Sequence, residues 1–174
     1  MADYRDSIQG VAVPVISHEI GQYQVYPRPG EAAKYTGVLR AQNIEAVRDR
    51  LEAAHMLDQA DDFVRASGAL AVICYREEIE AALRTPGFGG FQLLDLQDFP
   101  GQGTALVGIL DAFMDSKGLI TPEEWRRFCA PVVALARMRK YCWTAEETFE
   151  AELQVANYGR GALPEGRAQW VLRS

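Results

Sequence analysis

The sequence is poor in the residues that most often hold metals. Histidine occurs only at His18 and His55, and the three cysteines, Cys74, Cys129 and Cys142, lie far apart. That spacing offers neither a CxxC metal pattern nor a paired disulfide framework, so the thiols are expected to be buried or half-buried packing groups. Basic residues are also in the minority, with 18 Lys and Arg against 24 Asp and Glu and a net charge of −6. Phosphate binding needs clustered Lys and Arg, and no basic stripe is present, which argues against a nucleic-acid partner. No run approaches the roughly 20 apolar residues of a membrane span. Residues Met1 to Asp6 have neither the basic start nor the apolar core of a signal peptide. No membrane partner is expected, and the chain would be cytoplasmic as it stands; a longer parent protein could be secreted or periplasmic.

Nearly half of the 174 residues are apolar, an ordinary composition with enough material for a core. The stretch Pro14-Val15-Ile16-Ser17-His18-Glu19-Ile20-Gly21-Gln22 reads as a buried parallel strand carrying a carboxylate at its C-terminal end. In α/β barrels that end is where catalytic residues sit. Before it, Ala2 to Gly10 reads as the last turns of a helix and Val11 to Ile16 as strand. Beyond it, Ile44, Val47, Leu51 and Ala54 recur at helical spacing behind Asn43, a candidate N-cap. A longer helix is expected from Asp58 to Leu83, with Gly68 as a close packing point, Arg76 to Glu80 as a solvated face, and Thr85-Pro86-Gly87 as its stop.

A second strand is expected over Phe91 to Asp98, bracketed by glycine clusters, with Asp95, Gln97, Asp98 and Gln102 crowding its far end. These four form either a substrate-binding rim or a capped strand end whose polar groups pair with one another. Gly87-Phe88-Gly89-Gly90 lacks both the GxGxxG and the GK[ST] pattern, so no nucleotide cofactor is expected. Thr121, Pro122 and Glu124 mark a helix start with a capping box. Its buried stripe would run through Trp125, Phe128, Val132, Leu135 and Ala136, kinked at Pro131 and closed by the basic end Arg137 to Lys140. Phe149 to Tyr158 alternates as a half-exposed strand, with Ala168 to Leu172 as its hairpin partner.

The Pro14 to Gln22 stretch and the segment from Gly87 to Gly118 together resemble the C-terminal part of the catalytic barrel of glycoside hydrolase family two, the β-galactosidase-like and β-glucuronidase-like enzymes. The resemblance covers most of the chain. It implies an α/β fold, a partial TIM (β/α)8 barrel comprising its last strands and helices, over residues 1–140. Residues 141–174 resemble the start of the β-sandwich that follows the barrel. In that family the glutamate closing the seventh strand, followed by an apolar or aromatic residue and a glycine, is the nucleophile, and Glu19 with Ile20 and Gly21 matches it. His18, Asp95, Gln97, Asp98 and Gln102 are then the candidate substrate contacts. The eighth strand usually carries a tryptophan near the sugar, where this chain has Leu93 and Leu94.

Retaining glycosidases need two carboxyl groups about 5 Å apart, one to attack the anomeric carbon and one to protonate the leaving oxygen. The family's acid/base glutamate follows an asparagine, but Asn43 precedes Ile44 and Asn157 precedes Tyr158. A full barrel takes roughly 250 residues. The expectation is therefore a fragment of a retaining β-glycosidase acting on a carbohydrate substrate, inactive without the missing barrel half, and using no cofactor or metal. The alternative is a non-catalytic carbohydrate-binding module or one that oligomerises through exposed strand edges. A metal-dependent hydrolase built on His18, Glu19, Asp95 and Asp98 lacks the ligand spacing of known site types.

Overall fold

In the computed structural model, which describes residues 2–171 and 173, two strands meet side by side. These are β1 (Val15–Ile20) and β2 (Phe88–Leu93), and they run parallel. Parallel neighbours need a long crossover, here carried by α1 (Gln42–Ala53) and α2 (Ala60–Leu83). The register pairs Val15 with Phe88, Ile16 with Gly90, Ser17 with Phe91 and Ile20 with Leu93. One extra residue therefore bulges out of β2 at Gly89 and one out of β1 at His18 and Glu19. Gly89 is needed where it is, since a Cβ there would lie 3.0 Å from the Val15 carbonyl oxygen.

Strand β1 falls within the Pro14 to Gln22 stretch as expected but is buried only at Ile20, whereas the strands expected over Val11 to Ile16 and Phe91 to Asp98 are displaced along the chain. Strand β1 spans residues 15–20 and not 11–16, because Pro14 has no N–H to give a ladder and stands just outside it. Strand β2 starts inside the glycine cluster and ends at Leu93, so Asp95 to Asp98 belong to a loop. The glycines are pairing residues here and not punctuation. Near the N-terminus the expected helix is a single 3-10 turn, Asp6–Ile8.

Helix α1 is capped at Ala41, and Asn43 lies one residue inside it, with its side-chain amide donating to the Gly103 carbonyl at 2.8 Å. Helix α2 follows the expected span closely. Its buried line is Val64, Gly68, Ala71, Tyr75, Ile79 and Ala82, whereas Ile73 is 59 % exposed. Gly68 is the close packing point, since a Cβ there would fall 2.3 Å from the Leu119 side chain. Glu80, expected in solvent, is buried and paired with Arg76 and with the fully buried Arg84. No helix among the described residues is long and apolar enough to cross a membrane.

The capping box at Thr121 forms as read, with Thr121 Oγ1 accepting from Glu124 N–H and the Glu124 carboxylate accepting from Thr121 N–H. The helix it starts, α3 (Pro122–Trp125), is a single turn. Pro131 does more than kink it: the chain leaves the helical path, and β3 (Val132–Arg137) replaces the expected second half. Two consecutive valines favour that choice, and Val133 and Leu135 point inward by strand alternation. Arg137 to Lys140 is thus not a helix end, and the Arg137 guanidinium pairs with Asp3 at 2.7 Å. Strand β4 (Glu152–Asn157) lies within the segment expected, but its antiparallel partner is β3, from Val132↔Asn157 to Arg137↔Glu152. Ala168 to Val171 join no strand, and Leu172 lies outside the described residues. This second sheet therefore takes one strand from each side of residue 140.

Among the described residues there are two two-stranded sheets and no closed barrel. One apolar cluster joins Ile20 of β1, Ile79 of α2 and Phe128, and another joins Val133, Leu135 and Ala156 between β3 and β4. Leu83 packs against both and links the two halves. Cys74 and Cys129 are half-buried, with thiols pushed up by desolvation, while Cys142 is exposed, contrary to expectation.

Candidate functional site

The bulge in β1 sets the geometry of its C-terminal end. Glu19 has a φ of 55°, a left-handed conformation that costs a non-glycine residue on the order of 1–3 kcal/mol. An undistorted strand would turn His18 and Glu19 to opposite faces. With the bulge, His18 Nδ1 comes to 3.8 Å from Glu19 Oε1, and both side chains are exposed. The Gln22 amide reaches back to Glu19, donating from Nε2 to the backbone oxygen at 3.3 Å and to Oε2 at 3.4 Å.

The next residue is fixed from behind. Gly21 N–H donates to Glu78 Oε2 at 2.7 Å, and Gly21 has a φ of 90° over the Tyr75 ring, where a Cβ would lie 2.0 Å from Cε1. Glu78 also accepts from Tyr23, whose phenol is held well above its ordinary pKa, first by burial and then by that bond. The Tyr75 phenol, likewise raised by burial, stands between two carbonyls, those of Asp95 at 2.7 Å and of Val107. One buried ring thereby ties the loop after β1 to the loop after β2.

Between those two loops lies a cleft of about 100 Å³. Gln22 and Gln24 form one wall, and Asp95, Gln102 and Thr104 the other polar side; Phe99 and Val107 supply apolar surface. The walls are stitched together by Val25 N–H donating to Leu106 O at 2.8 Å and Gln24 Nε2 donating to Thr104 O at 3.2 Å. The Asp95 carboxylate accepts from Leu96 N–H at 2.7 Å and from Gln97 Nε2 at 3.1 Å. The cleft thus opens at the C-terminal ends of two parallel strands.

Of the residues picked out by sequence, Asp95 and Gln102 line this cleft, and Gln97 supports Asp95. Glu19 and His18 stand beside it on the bulge, joined to it through Gln22. Asp98 is elsewhere: it is 2 % exposed, pairs with buried Lys117 at 2.7 Å and accepts from Gly108 N–H at 3.0 Å. Burial pushes its carboxyl up, while Lys117 and Gly108 act in the opposite direction. Gly108 leaves no room for a side chain, since a Cβ would meet backbone atoms at 2.3 Å. Asp98 is thus a buried, ion-paired support for the loop and does not line the cleft.

Glu31, also buried, shares the electrostatic surroundings of Lys117, Asp98 and Asp111, and desolvation raises its carboxyl above the usual range. Asp111, buried as well, binds Lys34, whose ammonium also meets Asp115 at 2.7 Å. No group of three or more His, Cys, Asp or Glu side chains among the described residues is arranged to hold a metal ion. Residue patterns missed four contributors. Gln22 and Gln24 sit just past the strand end and gain meaning only from the cleft, Phe99 looked like loop filler, and Glu78 lay in a run that resembles an ordinary charged helix face. Neither any family model nor any curated protein matches the chain.

Proposed function

We propose that the chain is the C-terminal part of a retaining β-glycosidase, with Glu19 as nucleophile toward the anomeric carbon and Asp95 and Gln102 as contacts to the sugar. The observation that carries this reading is the parallel pair β1 and β2, with Glu19 near the C-terminal end of β1 and Asp95 in the loop after β2, where Asp95 lines a cleft that Glu19 reaches only through its Gln22 neighbour. The resemblance to glycoside hydrolase family two points to the same residue. Glu19 is exposed and, among the described residues, pairs with no Lys or Arg; its contacts are the Gln22 amide and the His18 ring. A barrel of eight strands would seat β1 and β2 as neighbours at its closing end, and residues 141–174 would open the following β-sandwich.

The acid/base carboxyl lies outside this chain on that reading. Ordinary β-glycosides, whose leaving oxygen needs a proton, are then not turned over by the isolated chain. A substrate with a leaving group that departs as a stable anion needs no such proton. The test is therefore a 2,4-dinitrophenyl 2-deoxy-2-fluoro-β-glycoside. A Glu19 oxygen bonds to C1, the C1–O bond breaks, and dinitrophenolate leaves with the electron pair. The fluorine slows release of the glycosyl group, which stays on Glu19.

A second reading, an oligomerising or carbohydrate-binding module without catalysis, is favoured by the sheets themselves. Among the described residues every strand has a single neighbour, and the outer face of the β3–β4 sheet exposes Val132, Leu153 and Val155. Such edges and faces pair with a second copy or with the remainder of a barrel.

A further inference from the structure

We propose that the pocket between α1 and the loops after β1 and β2 binds a small aliphatic monocarboxylate, its carboxylate paired with Arg50 and its hydrocarbon body laid on Val25, Val47 and Leu106. The site goes beyond the hydrolase reading, since neither Glu19 nor Asp95 nor Gln102 lines it.

The first support is size and lining. The pocket encloses about 440 Å³, inside the roughly 300–1,000 Å³ of small-molecule sites. Val25, Pro27 and Leu106 form an apolar wall from the two loops, and Ala46 and Val47 close it from α1. Hydrogen bonds hold that wall in place. Val25 N–H donates to Leu106 O at 2.8 Å, Tyr26 N–H donates to Ser67 Oγ at 2.8 Å and ties the loop to α2, and Asn43 Nδ2 donates to Gly103 O at 2.8 Å and ties α1 to the second loop. These polar groups occupy one another, so a ligand meets mainly carbon. Tyr26, the one ring in the lining, already packs on Phe63 at 5.2 Å between centroids, and the remaining apolar surface is aliphatic.

The second support is charge. The chain carries a net charge of −6, yet among the described residues no Asp or Glu lines this pocket, and its one charged group is Arg50. Every other arginine from Arg5 to Arg84 pairs with a carboxylate, as Arg28 does with Asp61, Arg40 with Glu45 and Arg48 with Asp49. Arg50 has no such partner among the described residues. It stands in the last turn of α1, where the helix dipole favours a cation, but the dipole accounts for neither the missing acid nor the apolar wall beside it. A guanidinium presents a planar fork that takes a carboxylate through two parallel hydrogen bonds. One fork suits a monoanion, whereas a phosphate dianion would keep part of its charge unpaired. Thr104, whose hydroxyl reaches no hydrogen-bond partner among the described residues, offers a further donor.

The test is an NMR titration of the isotopically labelled chain with octanoate, and with octanamide as the uncharged comparison. Octanoate is expected to give saturable shifts of the Val25, Val47 and Leu106 methyl signals, and octanamide to bind roughly tenfold more weakly or worse, the scale of a charge-assisted hydrogen bond. Arg50→Gln removes the charge from an exposed side chain. It should weaken octanoate by roughly tenfold or more and leave octanamide binding unchanged. A merely structural Arg50 would move both ligands alike, and that result overturns the proposal. Comparing the two ligands on the unaltered chain keeps the test valid if Arg50→Gln fails to fold. Equal binding of octanoate and octanamide, no saturable methyl shift, or shifts gathered instead on Leu153 and Val155 of β4 also overturn it.

Discussion

At the scale of single residues, Gly21 shows how tightly the site is set. Its φ of 90° and the 2.0 Å approach of a notional Cβ to Tyr75 act together. Gly21→Ala is expected to cost about 2–4 kcal/mol, combining backbone strain with overpacking, read as a lower urea midpoint. An unchanged midpoint would mean the ring does not sit there. Glu31 gives a pH-dependent prediction. Its folded-state pKa lies above that of the unfolded chain, so the native state holds the proton more tightly. Stability from this group therefore falls as pH rises from the unfolded pKa through the raised folded one. Glu31→Gln removes that loss: it should raise the urea midpoint at about pH 8 and leave it nearly unchanged at about pH 3.5, below the ordinary Glu pKa of about 4.3. A stabilisation of equal size at both values would contradict the assignment.

The residues most legible in the sequence were those whose role is local. Thr121, Pro122 and Glu124 declare a helix start within four positions, and the contacts form as read. Glu19 was marked by the apolar run before it and the glycine after it. The burial of Asp98 was not legible because its partner comes from a distant segment, whereas Glu80 is paired locally with Arg76 and Arg84, four residues away on either side, and only the tertiary packing that buries it was hidden. Lys117 lies 19 residues from Asp98, and burial of Arg84 decides the fate of Glu80. The Asp98–Lys117 pairing leaves no local trace, and the i,i+4 spacing of Glu80 with Arg76 and Arg84 is local but does not reveal burial.

At the scale of elements, α2 was readable because a 24-residue helix repeats its signal over many turns. The segment after α3 was not. Trp125, Phe128, Val132, Leu135 and Ala136 match a helical stripe, yet Pro131 ends the helical path and the valines join a sheet with a strand some twenty residues further on. A short apolar run has no period of its own to resist such pairing. The brevity of α3 makes its cap matter. Thr121→Ala should cost about 1 kcal/mol in urea denaturation, and a cost near zero would show that packing of Trp125 and Phe128 alone holds the turn.

At the scale of the whole molecule, two small sheets share a core through Leu83 without closing on themselves. Isolated pairs of strands are marginal in water. The open edges and the apolar outer face of β3 and β4 predict self-association of the isolated chain, seen as a mass above one chain by size-exclusion chromatography with light scattering. A monodisperse monomer of 19.3 kDa would contradict it. The parallel pairing of β1 with β2 was implicit in the reading of a parallel strand and a second strand separated by helices, whereas the bulge at His18 and Glu19 was not, since it arises from how the two strands match along their lengths.

The central claim is that Glu19 is a glycosidase nucleophile, and intact and peptide mass spectrometry after exposure to a dinitrophenyl 2-deoxy-2-fluoro-β-glycoside tests it most directly. The account predicts a gain of one fluoroglycosyl group, located on the peptide containing Glu19, and no gain for Glu19→Gln, whose folding is checked by an unchanged urea midpoint. An unlabelled chain, or a label on another carboxylate that persists in Glu19→Gln, would contradict it.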